Sequence, residues 1–183
     1  MTRLLAPRRC RIGIALLAGL LAVAGNGSAR AASGCSAFQT NFVKEVPDVG
    51  ASFVRPLVVS RSGQSGEFFD LVTNSRIDGL LQCNGEKLLR FEVKIAMPAD
   101  APALARFDSV LHAALRAALG WPATRAAAAV RTMSHEAADY LRASDQRGDV
   151  VVAGKTEYHE GGSDLGMIWT SSERTLVIVG SGG

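Results

Sequence analysis

One stretch constrains the fold more than any other. Across residues 89–97 apolar and polar positions alternate without a break: Leu89, Phe91, Val93, Ile95 and Met97 interleave with Arg90, Glu92, Lys94 and Ala96. Successive side chains on a strand point to opposite faces, so this pattern asks for a sheet buried on one face and wet on the other. Such one-sided burial belongs to antiparallel sheets, whereas parallel strands covered on both faces read as continuous apolar runs.

The partner of this strand is marked locally. Residues 76–83 and 86–97 flank Asn84-Gly85, a dipeptide that tolerates positive φ at both central positions of a type I′ hairpin turn. That turn sets Leu80 against Leu89, but it also sets Asp78 against the buried Phe91. A bulge at Gly79 is expected to shift Ile77 to the core side and relieve the conflict.

The other elements follow from period and punctuation. Phe38, Phe42 and Val46 recur every four residues and predict a short amphipathic helix over 36–46, ended by Pro47. Residues 53–60 and 67–73 are rich in β-branched and aromatic residues and read as strands around a turn at 62–66. Asp100 suits the N-cap of a helix whose apolar stripe runs Leu104, Phe107, Leu111, Ala114, Leu115, Ala118 and stops at Gly120 and Pro122. Thr124 is expected to cap a second helix that buries Val130, Met133, Ala137 and Leu141. Residues 149–158, 165–170 and 174–179 read as strands. Helix, four strands, two helices and three strands predict an α+β fold, a two-layer sandwich of a mainly antiparallel sheet with a pair of helices on one face.

The first residues have a different character. Arg3, Arg8, Arg9 and Arg11, with no acid among them, precede the apolar residues 12–24, and Ala29-Arg30-Ala31 fits the small-x-small rule for cleavage. We read residues 1–31 as a secretory signal peptide and residues 32–183 as one domain in the periplasm or outside the cell. Thirteen apolar residues fall short of the roughly 20 that span a hydrocarbon core, so no membrane span is expected after cleavage. The lipobox-like Ala32-Ser33-Gly34-Cys35 stands ten residues beyond the apolar run, too far for a lipid anchor at Cys35.

Cleavage changes the electrostatics. Five of the twenty Lys and Arg, and none of the seventeen Asp and Glu, lie in residues 1–31, so the remainder carries fifteen bases against seventeen acids, a net charge of −2. The basic pI thus belongs largely to the discarded segment, and nucleic acid is excluded as a partner. Cys10 leaves with that segment. Cys35 and Cys83 remain, and in an oxidising compartment a single disulfide between them is the simplest outcome.

Residues that carry chemistry are sparse. His135 and Asp139 sit one turn apart on the second long helix with Glu136 between them, a spacing that resembles the zincin arrangement with Asp in place of the second His. A third ligand would come from His159 or Glu157, and the set would support a metal-dependent hydrolase. The plainer reading is a solvated helix face paired with Arg131 and Arg142. Asp108 and His112 form a second one-turn pair. No G-x-S-x-G and no Gly-Lys-Ser/Thr occurs, and adjacent Ser134 and His135 point about 100° apart on a helix. Trp169 alternates with Met167 and is expected to face the core, while Trp121, in a Pro-flanked corner, is the candidate exposed anchor. The polar, Gly-rich residues 158–164 hold one His and two acids beside the helix. Taken together these features favour a non-enzymatic binding or accessory protein of the cell envelope, acting on a protein or small-molecule partner through its sheet or its helix-strand corner without cofactor or metal. The alternative is the small hydrolase built on His135, Asp139 and His159.

Overall fold

The structure, a computed structural model, describes residues 34–56, 66–148, 153–160 and 162–180. The expected signal peptide, the strand positions 57–60, the turn positions 62–65 and the strand start at 149–152 lie outside the described residues.

Among the described residues seven strands form one antiparallel sheet: β1 (Ser52–Val54), β2 (Glu67–Val72), β3 (Ile77–Asn84), β4 (Lys87–Ala96), β5 (Ala153–Glu160), β6 (Ser163–Thr170) and β7 (Glu173–Val179). Their spatial order is β1-β2-β3-β4-β7-β6-β5. The chain meanders from one edge to β4, leaves through two helices, returns at the opposite edge as β5, and meanders back until β7 closes on β4. Among the described residues three α-helices accompany the sheet: α1 (Cys35–Glu45), α2 (Ala101–Leu119) and α3 (Ala123–Arg147). α2 lies between α1 and α3, α1 touches β4, and α3 covers β5 and β6. The α+β expectation holds, with α1 joining the expected pair in the helical layer.

The β3–β4 hairpin departs from the expected register, and the difference is instructive. Asn84 pairs with Lys87, so the two central turn residues are Gly85 and Glu86 rather than Asn84 and Gly85. Positive φ occurs at Gly85 alone, at 56°. A type I′ turn needs it at both central positions, so that assignment fails. The irregularity falls between Gln82 and Cys83, where Cys83 pairs with Leu88 and Gln82 with Arg90, so that Leu89 is the extra residue. Beyond it Leu81 meets Phe91, Gly79 meets Val93 and Ile77 meets Ile95. Ile77, Leu81 and Cys83 thereby reach the core side, Leu80 turns to the other face opposite Glu92, and Leu88 is buried where Leu89 was expected. No bulge forms at Gly79. Instead a Cβ there would come within 2.8 Å of the Glu92 carbonyl and 2.9 Å of Leu71 Cδ2. Gly79 is a bare seat into which the neighbouring strand packs Leu71.

Helix termini follow local chemistry. The Asp100 carboxylate accepts the Ala103 N–H at 2.8 Å, satisfying one of the first-turn donors of α2. Gly120, at φ 66°, closes that helix through its N–H to the Arg116 carbonyl. Thr124 does not cap α3. Pro122 is the cap residue, its carbonyl accepting the N–H groups of Arg125 and Ala126, and Thr124 lies inside the first turn.

The core is continuous between the layers. Four rings, Phe38 and Phe42 of α1, Phe53 of β1 and Phe91 of β4, contact one another in all six combinations, with centroids 4.9 to 6.2 Å apart. α2 is the most deeply buried helix, with Phe107, Val110, Leu111, Ala114 and Leu115 all enclosed. Its run of alanines lets α1 and α3 approach closely on either side. Cys35 and Cys83 sit at disulfide distance, Cα to Cα 6.1 Å. The same corner is held by Cys35 N–H to the Glu86 carbonyl and by Ser36 Oγ to the Glu86 carboxylate at 2.8 Å. The start of α1 is thus tied to the β3–β4 turn.

Candidate functional site

The sheet registers define what occupies its helix-free face. One row across four strands reads Arg90, Val179, Asp164, His159; the next reads Glu92, Val177, Gly166, Glu157. Neighbouring strands stand about 4.8 Å apart, so each row places its first and last members roughly 14 Å apart. Gly166 has no side chain to fill its place in the second row, and a depression forms there. The resulting trough measures about 610 Å³, with Gly166, Ile168, Val177 and Val179 as its floor and Arg90, Glu157, His159 and Asp164 on its rim. That volume falls within the roughly 300–1,000 Å³ of ligand sites, and apolar lining with a few polar groups is their usual character.

The rim is organised by ion pairs. His159 Nδ1 meets Asp164 Oδ1 at 2.6 Å across the β5–β6 hairpin, and Arg90 meets Glu92 at 2.7 Å. Because Nδ1 is engaged by Asp164, the other ring nitrogen, Nε2, is the one left to a bound molecule. The Gly-rich segment at 158–164 is a tight hairpin, Glu160 pairing with Ser163 and Gly162 at φ 79°. His159 and Asp164 stand at the edge of the trough.

The metal set of the alternative reading does not assemble. On α3 His135 Nδ1 lies 3.1 Å from Asp139 Oδ2, and Asp139 in turn pairs with Arg142; all three side chains are largely exposed. Tyr158, the neighbour of His159, sends its hydroxyl to Glu136 Oε2 on α3 at 2.9 Å. Consecutive strand residues face opposite ways, so His159 and Glu157 turn away from α3 onto the trough side. The third ligand of the proposed hydrolase is therefore on the wrong side of the sheet. Among the described residues no three His, Cys, Asp or Glu side chains converge as a metal set would require. Ser134 faces inward, its Oγ 3.4 Å from Met167 Sδ, and makes no pair with His135.

The remaining candidates belong to the helical side. His112 is half-buried on α2; burial lowers its pKa, the Asp108 carboxylate opposes that shift and Arg131 adds to it. Asp108 also acts on Arg174, whose guanidinium stacks over Trp169 at 4.0 Å. Trp169 packs against the core as its alternation with Met167 required. Trp121 is half-buried, with Arg125 stacked on its ring at 4.5 Å. It borders a shallow hollow of about 270 Å³ with Met133, Tyr158 and Leu165.

Sequence reading named His159 but missed Arg90, Gly166, Ile168, Val177 and Val179. Two signals were present: a glycine inside a strand, and apolar residues at both parities of β7, Leu176 and Ile178 on one and Val177 and Val179 on the other, which leave apolar residues on the wet face whichever register applies. Which strands lie side by side is not written locally, so the row that joins Arg90 to His159 was out of reach. No helix among the described residues is long and apolar enough to cross a membrane. Comparison with known proteins adds no relative: no family model, curated protein or solved structure matches this chain.

Proposed function

We propose that this protein is an exported, non-enzymatic binding protein of the cell envelope that seats its ligand in the trough over Gly166. The observation that carries the proposal is the trough itself, an apolar floor on the helix-free face of the sheet, rimmed by Arg90 on one side and by Glu157, His159 and Asp164 on the other. An elongated molecule with an apolar body and polar ends matches that pattern, because its body covers the valines while its ends meet ionic groups about three strands apart. Export rests on the basic and apolar start of the chain, removed after Ala31, and on the Cys35–Cys83 pair, which suits a compartment where thiols are oxidised.

Two measurements test the proposal. Mass spectrometry of the protein recovered from cells expressing the full chain is expected to give an N-terminus near Ala32 and no free thiol. Amide NMR spectra titrated with hexanoate and with hexylamine are expected to move resonances of β4, β5, β6 and β7 on the trough side, and Gly166→Leu is expected to abolish those shifts by filling the depression. Shifts centred on α3, or none with either probe, would overturn the assignment.

A further inference from the structure

We propose that the trough selects a ligand whose end at the β5–β6 rim is a hydrogen-bond donor, a hydroxyl or a primary amine, and that His159 is the residue that reads it. This rests on the trough being the ligand seat and adds to it the chemistry of one end. Among the described side chains that line the trough at that end, Glu157 and Asp164 are carboxylates and His159 is an imidazole. The Tyr158 hydroxyl is turned to Glu136 on α3 at 2.9 Å. Ionised carboxylates accept hydrogen bonds and donate none, and a neutral imidazole has a single N–H to give.

That single N–H is already committed. His159 Nδ1 lies 2.6 Å from Asp164 Oδ1, and a partner that only accepts keeps the ring proton on Nδ1. Nε2 is then left with a lone pair and no proton. A carboxylate behind an imidazole also fixes the orientation of the ring and raises the basicity of its far nitrogen. Asp164 is thus a positioning residue and His159 the contact. Their side chains are 73% and 70% exposed, so a molecule in the trough reaches Nε2 from solvent. Its apolar body, lying over Ile168 and Val179, lowers the local dielectric and strengthens the bond it makes there.

The far end is of the opposite kind. Arg90 has donors only, and Glu92 takes one of them at 2.7 Å. A ligand therefore lies across the strands in one direction, its acceptor end at β4 and its donor end at β5. An apolar chain ended only in a carboxylate satisfies the Arg90 end and gives nothing to Nε2.

NMR titrations at pH 8, on the protein from cells expressing the full chain, test the proposal. The probes are 1-hexanol and methyl pentyl ether, equal in size and charge, of which only the alcohol carries a donor. The ratio of ether to hexanol dissociation constants is expected to fall about fivefold in His159→Phe, the worth of one net hydrogen bond, while hexanoate binding stays unchanged. Thermal unfolding by circular dichroism confirms that the variant keeps its fold. Nitrogen–proton correlation spectra of the imidazole are expected to place the His159 proton on Nδ1, and Asp164→Asn is expected to spread it over both nitrogens and to shrink the hexanol preference. Shifts at Gly166, Val177 and Val179 combined with a ratio that His159→Phe leaves unchanged, or with a ring protonated at Nε2, overturn the proposal and leave the trough as the seat. Absence of those shifts with every probe overturns both.

Discussion

Replacing Phe38 with alanine probes what docks α1 on the sheet. The side chain is fully enclosed and its ring lies 4.9 Å from Phe91, 5.8 Å from Phe42 and 6.1 Å from Phe53. Removing a buried phenyl group costs about 3–5 kcal/mol, the sum of lost transfer energy and a cavity that the surroundings fill incompletely. The upper part of that range applies, because Phe42 and Phe91 are themselves fully buried and held by contacts on their far sides, so collapse into the gap is limited. We expect a loss of about 4 kcal/mol. For a domain near 150 residues that lowers Tm by roughly 8–16 °C. Urea unfolding followed by fluorescence of Trp121 and Trp169 gives the value, with the slope against denaturant unchanged if the native state stays compact. Val43→Ala, on the exposed side of the same helix, should change stability by less than about 0.5 kcal/mol. A loss under about 1 kcal/mol for Phe38→Ala would refute the view that the four rings, rather than the covalent tie, hold α1 in place.

Other expectations are independent of that one. Cys35→Ser with Cys83→Ser opens a loop of sequence separation 48 and should cost up to about 4 kcal/mol by the chain-entropy argument, measured by urea unfolding under oxidising conditions; reductant should then no longer affect the variant. Gly79→Ala should destabilise β3, since its Cβ would meet the Glu92 carbonyl at 2.8 Å and Leu71, and Gly79→Ala with Leu71→Val should recover part of the loss in the same assay. His112 has a folded pKa below its ordinary value, chiefly because of burial. The unfolded chain therefore binds the proton more tightly, and stability should fall as pH drops through about 6.5 and below. His112→Gln should reduce the difference in urea midpoint between pH 5 and pH 7.5; an unchanged difference would assign the acid sensitivity to other groups.

Part of the site was readable one residue at a time. The segment holding His159 and Asp164 stands out as a polar hairpin, because glycines and charged residues between two apolar strands leave little else to form. The pairing of His135 with Asp139 follows from the pitch of a helix. Neither observation indicates which side of the sheet His159 faces relative to α3. That depends on where β5 lands, and Tyr158 reaching Glu136 is the contact that assigns it.

The division between sequence and structure follows the range of the forces involved. Alternation along β4, the Asp100 cap and the stripe on α2 are decided by neighbours within one or two turns of chain, so period and capping chemistry suffice to name them. The β3–β4 register lay partly beyond that reach. Local turn preference placed Asn84 and Gly85 at its centre, but burial of Ile77, Leu81 and Phe91 on one face outweighed it and moved the turn by one residue with Leu89 as the surplus. The trough is further still from local control, because Arg90 and His159 share a row only after two helices carry the chain across the sheet and β7 closes on β4. Side-chain chemistry is written in the order of residues; adjacency across the sheet is chosen by how the whole core fills.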